Sequence, residues 1–159
     1  MGAPDMLSEH LPMLYRVAWM LTGNEADAED LAHDTMVAAL SSIGRFRAES
    51  RLSTWLTAIL VNRHRAIKRR SGYARPELPV SAPSEPGAAM AAEEEKAALL
   101  RALDRLTEDE RTLVALSAYQ GLDSSEIGDM LGRPAGTIRY QLHEAREKLR
   151  AMLLEKRHG

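Results

Sequence analysis

Four of the chain's seven prolines, Pro76, Pro79, Pro83 and Pro86, fall within eleven residues. A proline has no backbone N–H and its ring clashes with the preceding helical turn, so no helix or central strand runs through such a cluster. Gly72, Gly87, Ser71, Ser81 and Ser84 lie among these prolines, and the pattern predicts a linker over 71–92. About 70 residues precede it and about 65 follow, each enough for a small domain that folds alone. The expected organisation is therefore a domain over 1–70, a linker over 71–92 and a second domain over 93–159. At roughly 3.3 Å per residue the extended linker reaches about 70 Å, letting the two domains act at well-separated sites.

Cysteine is absent, which excludes disulfides, thiolate nucleophiles and cysteine-ligated zinc and suits a reducing cytosol. Aromatic residues make up only 4% of the chain, and leucine and alanine prevail over β-branched types, which favours helix over sheet. The fold class expected is all-α, two small helical domains. No positive run precedes an apolar stretch near Met1, and no segment reaches about eighteen uncharged apolar residues. Neither a signal peptide nor a membrane span is expected, which points to the cytoplasm.

The net charge of −2 conceals strong zoning. Residues 1–44 hold one basic and seven acidic side chains, whereas 45–75 hold nine basic ones against Glu49 alone. Residues 76–110 hold three basic and nine acidic side chains, and 111–159 hold eight and six. A dense basic zone in an acidic chain is an electrostatic footprint for a polyanion.

Helical periodicity places a first helix near 5–22, with Met13, Leu14, Val17, Ala18 and Leu21 inward. Asn24 is set to cap a second helix over about 25–43, with Ala28, Leu31, Ala32, Thr35, Met36, Ala39 and Leu40 inside and Glu25, Asp27, Glu29, Asp30 and Asp34 outside. After a loop from Gly44 to Ser50, a third helix starts near Ser53 with Trp55, Leu56, Ile59 and Leu60 inward and ends in Lys68-Arg69-Arg70. Beyond the linker, an alanine-rich helix near 91–105 precedes two capping boxes, Thr107 to Glu110 and Asp123 to Glu126. Leu113, Val114, Leu116 and Ala118 form the apolar face of the helix between the boxes. A short helix over about 124–131 stops at Gly132, and Pro134 allows a longer one to start at once, with Ile138, Leu142, Ala145, Leu149 and Met152 inward.

The short helix, tight glycine turn and longer basic helix make a helix-turn-helix. Its second helix exposes Arg139, Tyr140, His143 and Arg146, side chains able to reach phosphates or base edges in a major groove. Asp30 and His33 stand at the i, i+3 spacing of di-metal bundles, but the second carboxylate–histidine pair such sites need is missing. No serine sits in a nucleophile elbow and no glycine in a phosphate loop. No cofactor, metal, small-molecule substrate or catalytic residue is expected.

Ala28-Glu29-Asp30, the run Ser53-Thr54-Trp55-Leu56 with Asn62, and Lys68-Arg69-Arg70 resemble region 2 of bacterial sigma-70-family factors. Leu103-Asp104-Arg105-Leu106, Leu122 to Gly128, Gly136-Thr137-Ile138 and Leu142 to Arg146 resemble region 4. The layout is similar to that of the extracytoplasmic-function (ECF) type, over about 10–70 and 98–152. The resemblance implies binding to core RNA polymerase, promoter DNA as ligand and control by an anti-sigma factor. By position it assigns Asp27, Glu29, Asp30 and Asp34 to the polymerase. It assigns Arg45, Phe46, Arg47, Asn62, Arg63, Arg65 and Arg69 to the minus-ten element, with a base extruded beside the Arg45–Arg47 loop. Thr137, Arg139, Tyr140, His143 and Arg146 would enter the minus-thirty-five major groove.

The chain departs from the family's usual residues at four positions: His33 replaces glutamine, Ala66 an acid, and Gln141 and Glu144 basic residues. Glu144 repels phosphate but accepts from a cytosine amino group, which implies an altered minus-thirty-five preference. Two other readings draw on the same features. A sigma mimic would sequester an anti-sigma factor without needing the basic residues of 45–75. A stand-alone helix-turn-helix regulator would bind a palindrome as a dimer, for which no dimerisation helix is evident.

Overall fold

The computed structural model describes residues 2–47, 51–71 and 90–157, and among them every regular element is helical. The chain divides into two compact units, Met1–Pro76 and Glu77–Gly159. Most of the expected linker, 72–89, lies outside the described residues, while Ser71 closes one helix and Met90 opens the next.

The first unit contains α1 (Ala3–Ser8), α2 (Leu11–Thr22), α3 (Glu25–Ser42), a 3-10 turn (Ile43–Arg45) and α4 (Leu52–Ser71). The single helix expected near 5–22 is thus two. Pro12 lies in the first turn of α2, where it needs no N–H; in a continuous helix its ring would strike the Ser8 carbonyl, so the chain ends α1 there and restarts. Gly23 closes α2 in the left-handed region at φ 80°, donating to the Trp19 carbonyl. Asn24 caps α3 as expected, its side chain accepting from the Asp27 N–H at 2.8 Å.

Leu7, Leu14, Val17, Leu21, Leu31, Leu56, Leu60 and Val61 form the core of this unit, each buried leucine contributing about 2 kcal/mol of hydrophobic stabilisation. Buried threonines donate back along their own helices, Thr35 to the Leu31 carbonyl at 2.7 Å and Thr57 to that of Ser53 at 2.7 Å. Leu40, expected inside, is 44% exposed, and Trp55 is only half-buried. The core-facing side of α3 follows Ala28, Leu31, Ala32, Thr35 and Ala39, which turns Leu40 to the flank. On α4 the buried positions are 56, 57, 60, 61 and 64, which rotates Trp55 away from the core.

The second unit contains α5 (Met90–Arg105), α6 (Glu108–Val114), a π-helical segment (Ala115–Tyr119), α7 (Ser124–Leu131) and α8 (Ala135–Arg157). Both capping boxes are formed, at Thr107/Glu110 and Asp123/Glu126. The helix expected to run unbroken through Ala118 widens instead. The Gln120 N–H reaches the Ala115 carbonyl at 3.1 Å, the extra residue shifts the register, and Ala118 is exposed. Leu103, Leu106, Leu113, Leu116, Leu122, Ile127, Ile138, Leu142 and Ala145 are buried, whereas Leu149 and Met152 are half-buried near the end of α8.

Arg111 is 5% exposed. Its Nη1 donates to the carbonyls of Leu103, Asp104 and Leu106, the last at 2.6 Å. One guanidinium thereby serves the carbonyls at the end of α5, where helical N–H partners run out; the Leu103 carbonyl also accepts from the Leu106 N–H at 3.2 Å. Burial pushes its pKa down and Asp104 acts in the opposite direction.

Candidate nucleic-acid interface

The helix-turn-helix is set by two glycines. Gly132 ends α7 in the left-handed region at φ 72°, a conformation that costs little without a side chain. At Gly128 a Cβ would overlap the Arg133 carbonyl oxygen, and the Arg133 N–H donates to the Gly128 carbonyl at 2.9 Å. The turn therefore lies directly on α7, and α8 leaves it at a defined angle.

Ile138, Leu142 and Ala145 anchor one side of α8. Opposite them Thr137, Arg139, His143 and Arg146 are exposed and Tyr140 is 67% exposed. Helical spacing sorts these into two lines. Arg139, His143, Arg146 and Arg150 follow one another at four, three and four residues, and Thr137, Tyr140 and Glu144 at three and four. The first line is basic and the second carries the exposed carboxylate of Glu144. Arg146 Nη2 also donates to the Ser117 hydroxyl in the π-helical segment at 2.6 Å.

Gln141 lies on neither line. It is half-buried, and its Oε1 accepts from Arg133 Nη1 at 2.9 Å. Arg133 also grips Asp109 with both Nη atoms, at 2.6 and 2.9 Å; the bond to Asp109 raises its pKa and burial partly opposes this. Lys148 pairs with Glu110 at 2.9 Å. Burial works to raise the Glu110 carboxyl, but the Thr107 N–H, Lys148 and the Thr107 hydroxyl together hold it below its ordinary value. None of these ties between α8 and its neighbours was read from the sequence. The charged partners are 24 and 38 residues apart, beyond any helical spacing rule.

In the first unit Asn62, Arg63, Arg65 and Arg69 are all exposed along α4. Trp55, Asn62 and Arg69 are seven residues apart and share one side of the helix. Exposed Arg45 and Arg47 flank half-buried Phe46, whose ring centroid lies 5.3 Å from that of Trp55 at a 49° tilt. Such a pair fixes the start of the loop through aromatic contact.

Glu29, Asp30 and Asp34 are exposed on α3. Asp27 is not presented in the same way: half-buried, it accepts from the Asn24 amide at 2.8 Å within the helix cap. Exposed Val37 adds an apolar side chain to the outer face of α3, with exposed Leu40, which the sequence pattern placed inside, on its flank. Across from α3, burial first and then Glu25 and Glu29 raise the pKa of Tyr15.

The description "Sigma-70 region 2" matches residues 6–72, and "Sigma-70, region 4" matches 96–149. The chain is 32% identical over 158 residues to the ECF RNA polymerase sigma factor EcfG of Rhodopseudomonas palustris, covering 94% of this chain and 83% of that protein. It is 33% identical to the ECF RNA polymerase sigma factor SigE of Mycolicibacterium smegmatis over 94% of its length, but spans only 60% of that relative. The sigma factor RpoE of Bartonella quintana, solved with the anti-sigma factor NepR, superposes with a TM-score of 0.80 at 25% identity, covering 94% of each chain. CnrH, solved with the cytosolic domain of CnrY, gives 0.69 at 25% identity, covering 94% of this chain and 85% of that one. With both regions matched in order and a relative of like length above 30% identity, the chain belongs to the ECF group of the sigma-70 family of RNA polymerase sigma factors.

Proposed function

We propose that this chain is an alternative sigma factor that binds core RNA polymerase, directs initiation at a specific set of promoters and is held in check by an anti-sigma factor. It acts in the cytoplasm as a binding protein rather than an enzyme. The observation that carries the reading is the outer face of α8. Arg139, Tyr140 and His143 stand exposed opposite buried Ile138 and Leu142, the disposition a recognition helix needs in a major groove. Thr137 and Arg146 complete the minus-thirty-five set.

In the first unit, Arg45, Phe46, Arg47, Asn62, Arg63, Arg65 and Arg69 take the minus-ten strand, the basic groups on phosphates and the loop beside an unstacked base. Glu29, Asp30 and Asp34, with Asp27 at the cap, form the polymerase-facing surface of α3. We take 1–70 and 93–159 as the functional domains and 71–92 as the tether between them. Control by an anti-sigma factor is supported by the structure of the sigma factor RpoE with the anti-sigma factor NepR, whose sigma chain shares this fold at 25% identity.

The test is to mix the purified chain with bacterial core RNA polymerase, measure co-elution, and map transcription starts on genomic DNA fragments. Co-elution with specific starts is the expected result. Co-elution without initiation would leave an inhibited or mimic form, and no co-elution an anti-sigma decoy or a stand-alone regulator.

A further inference from the structure

The readers on α8 act only if the helix is held at the right rotation about its own axis. Its apolar anchors, Ile138, Leu142 and Ala145, set its distance from the core, but hydrophobic contact has no direction. Arg146 and Lys148 make directional bonds farther along the helix, to Ser117 and Glu110; at its start the directional bonds come from the turn. The Arg133 main chain is seated on Gly128, while its side chain runs the other way, to Asp109 on α6 and Gln141 on α8. A planar guanidinium satisfied at a carboxylate by two bonds and at an amide by a third holds three elements in one geometry.

We propose that Asp109, Arg133 and Gln141 form a clamp that positions α8 for sequence reading, with Gln141 and Arg133 serving as positioning residues and making no contact with DNA. This rests on the DNA-reading role given to α8 above. The Arg133 charge is spent on Asp109, and Gln141 is half-buried, off both lines of exposed side chains. At a position where the resemblance leads one to expect a basic DNA contact, this chain carries part of its own scaffold. Loss of the clamp lets α8 turn, so the readers meet the wrong base edges while the number of neutralised phosphates stays the same.

The test begins by selecting duplexes from random-sequence DNA with the full chain, then measuring matched and singly mismatched duplexes across a salt series. In Asp109→Asn and Gln141→Ala, discrimination between matched and mismatched duplexes is expected to fall at least about threefold, with the slope of log affinity against log salt unchanged. Arg133→Lys should lose the same discrimination, because an ammonium keeps the charge but cannot make the planar fork. Circular dichroism melts establish that each variant is folded.

A slope reduced by about one in Arg133→Ala would show Arg133 to be a phosphate ligand and overturn the clamp. So would variants that lose melting temperature while discrimination stays intact. If no duplex is enriched by the wild-type chain, the DNA-reading role of α8 falls and takes the clamp with it, an outcome distinct from both of the others.

Discussion

The Arg146 guanidinium donates to the Ser117 hydroxyl across 2.6 Å, joining α8 to the π-helical segment. A long side chain held this way loses less conformational entropy when it meets a phosphate. Ser117→Ala is therefore expected to weaken duplex binding about fivefold, the equivalent of about 1 kcal/mol, with no change in salt slope. Arg146→Ala is expected to lower the slope by about one. Fluorescence anisotropy over a salt series measures both.

Glu144 faces outward on the line of Thr137 and Tyr140. Glu144→Arg replaces a repulsive charge with an attractive one, and it should tighten DNA binding and steepen its salt dependence by about one phosphate. It should also remove any preference for cytosine at the base the carboxylate meets, a difference worth about 1–3 kcal/mol. Unchanged affinity and slope would place Glu144 away from DNA.

Gly128→Ala puts a methyl group against the Arg133 carbonyl. The obstacle is backbone, and no rotamer change relieves it. The second unit should lose about 1–3 kcal/mol on this overpacking. Urea unfolding followed by circular dichroism reads the loss.

Arg111→Ala takes the side-chain donor from the Asp104 and Leu106 carbonyls, leaves Leu103 with its bond from the Leu106 N–H alone, and opens a void where the side chain was buried. A destabilisation of about 2–4 kcal/mol is expected. Arg111→Lys should recover only part of it, since a single ammonium does not reproduce the guanidinium's reach. Thermal melts of the three proteins rank them.

The Glu110 carboxyl is held below its ordinary value in the folded chain. Its contribution to stability is thus complete above the unfolded-state value of about 4.3 and is lost as pH falls through the lower folded value. Glu110→Gln should cost about 1 kcal/mol at neutral pH through the weakened cap and its lost tie to Lys148, and flatten the acid limb. Denaturant titrations between about pH 3 and 7 test the sign.

What the sequence disclosed follows the range of the interactions. Asn24, Thr107 and Asp123 cap groups three residues away, and Gly132 marks a helix end by conformational freedom alone; all four were legible. Pro12 carried the signal for the break between α1 and α2, but the apolar periodicity running past it suggested one helix. Widening at Ala115–Tyr119 has no residue signature, so the register of Ala118 could not be read. Trp55 and Leu40 were placed inside because they are large and apolar, whereas exposure depends on how α3 and α4 sit on their neighbours. Arg111 and Arg133 belong to a residue type that normally faces solvent, and their partners are fixed only once distant helices meet. The exposed face of α8 was legible for the opposite reason, since it follows from the periodicity of the helix that carries it, whereas the minus-ten set was only implied by the resemblance.

The wide turn at Ala115–Tyr119 amounts to a one-residue insertion absorbed inside a helix rather than in a loop. With a residue removed there, an ordinary α turn can close between the buried anchors Leu116 and Leu122, and the hydroxyl that meets Arg146 is carried to another side. The wide turn thus does for α8 what a loop does elsewhere: it offers a hydroxyl on the side where Arg146 passes.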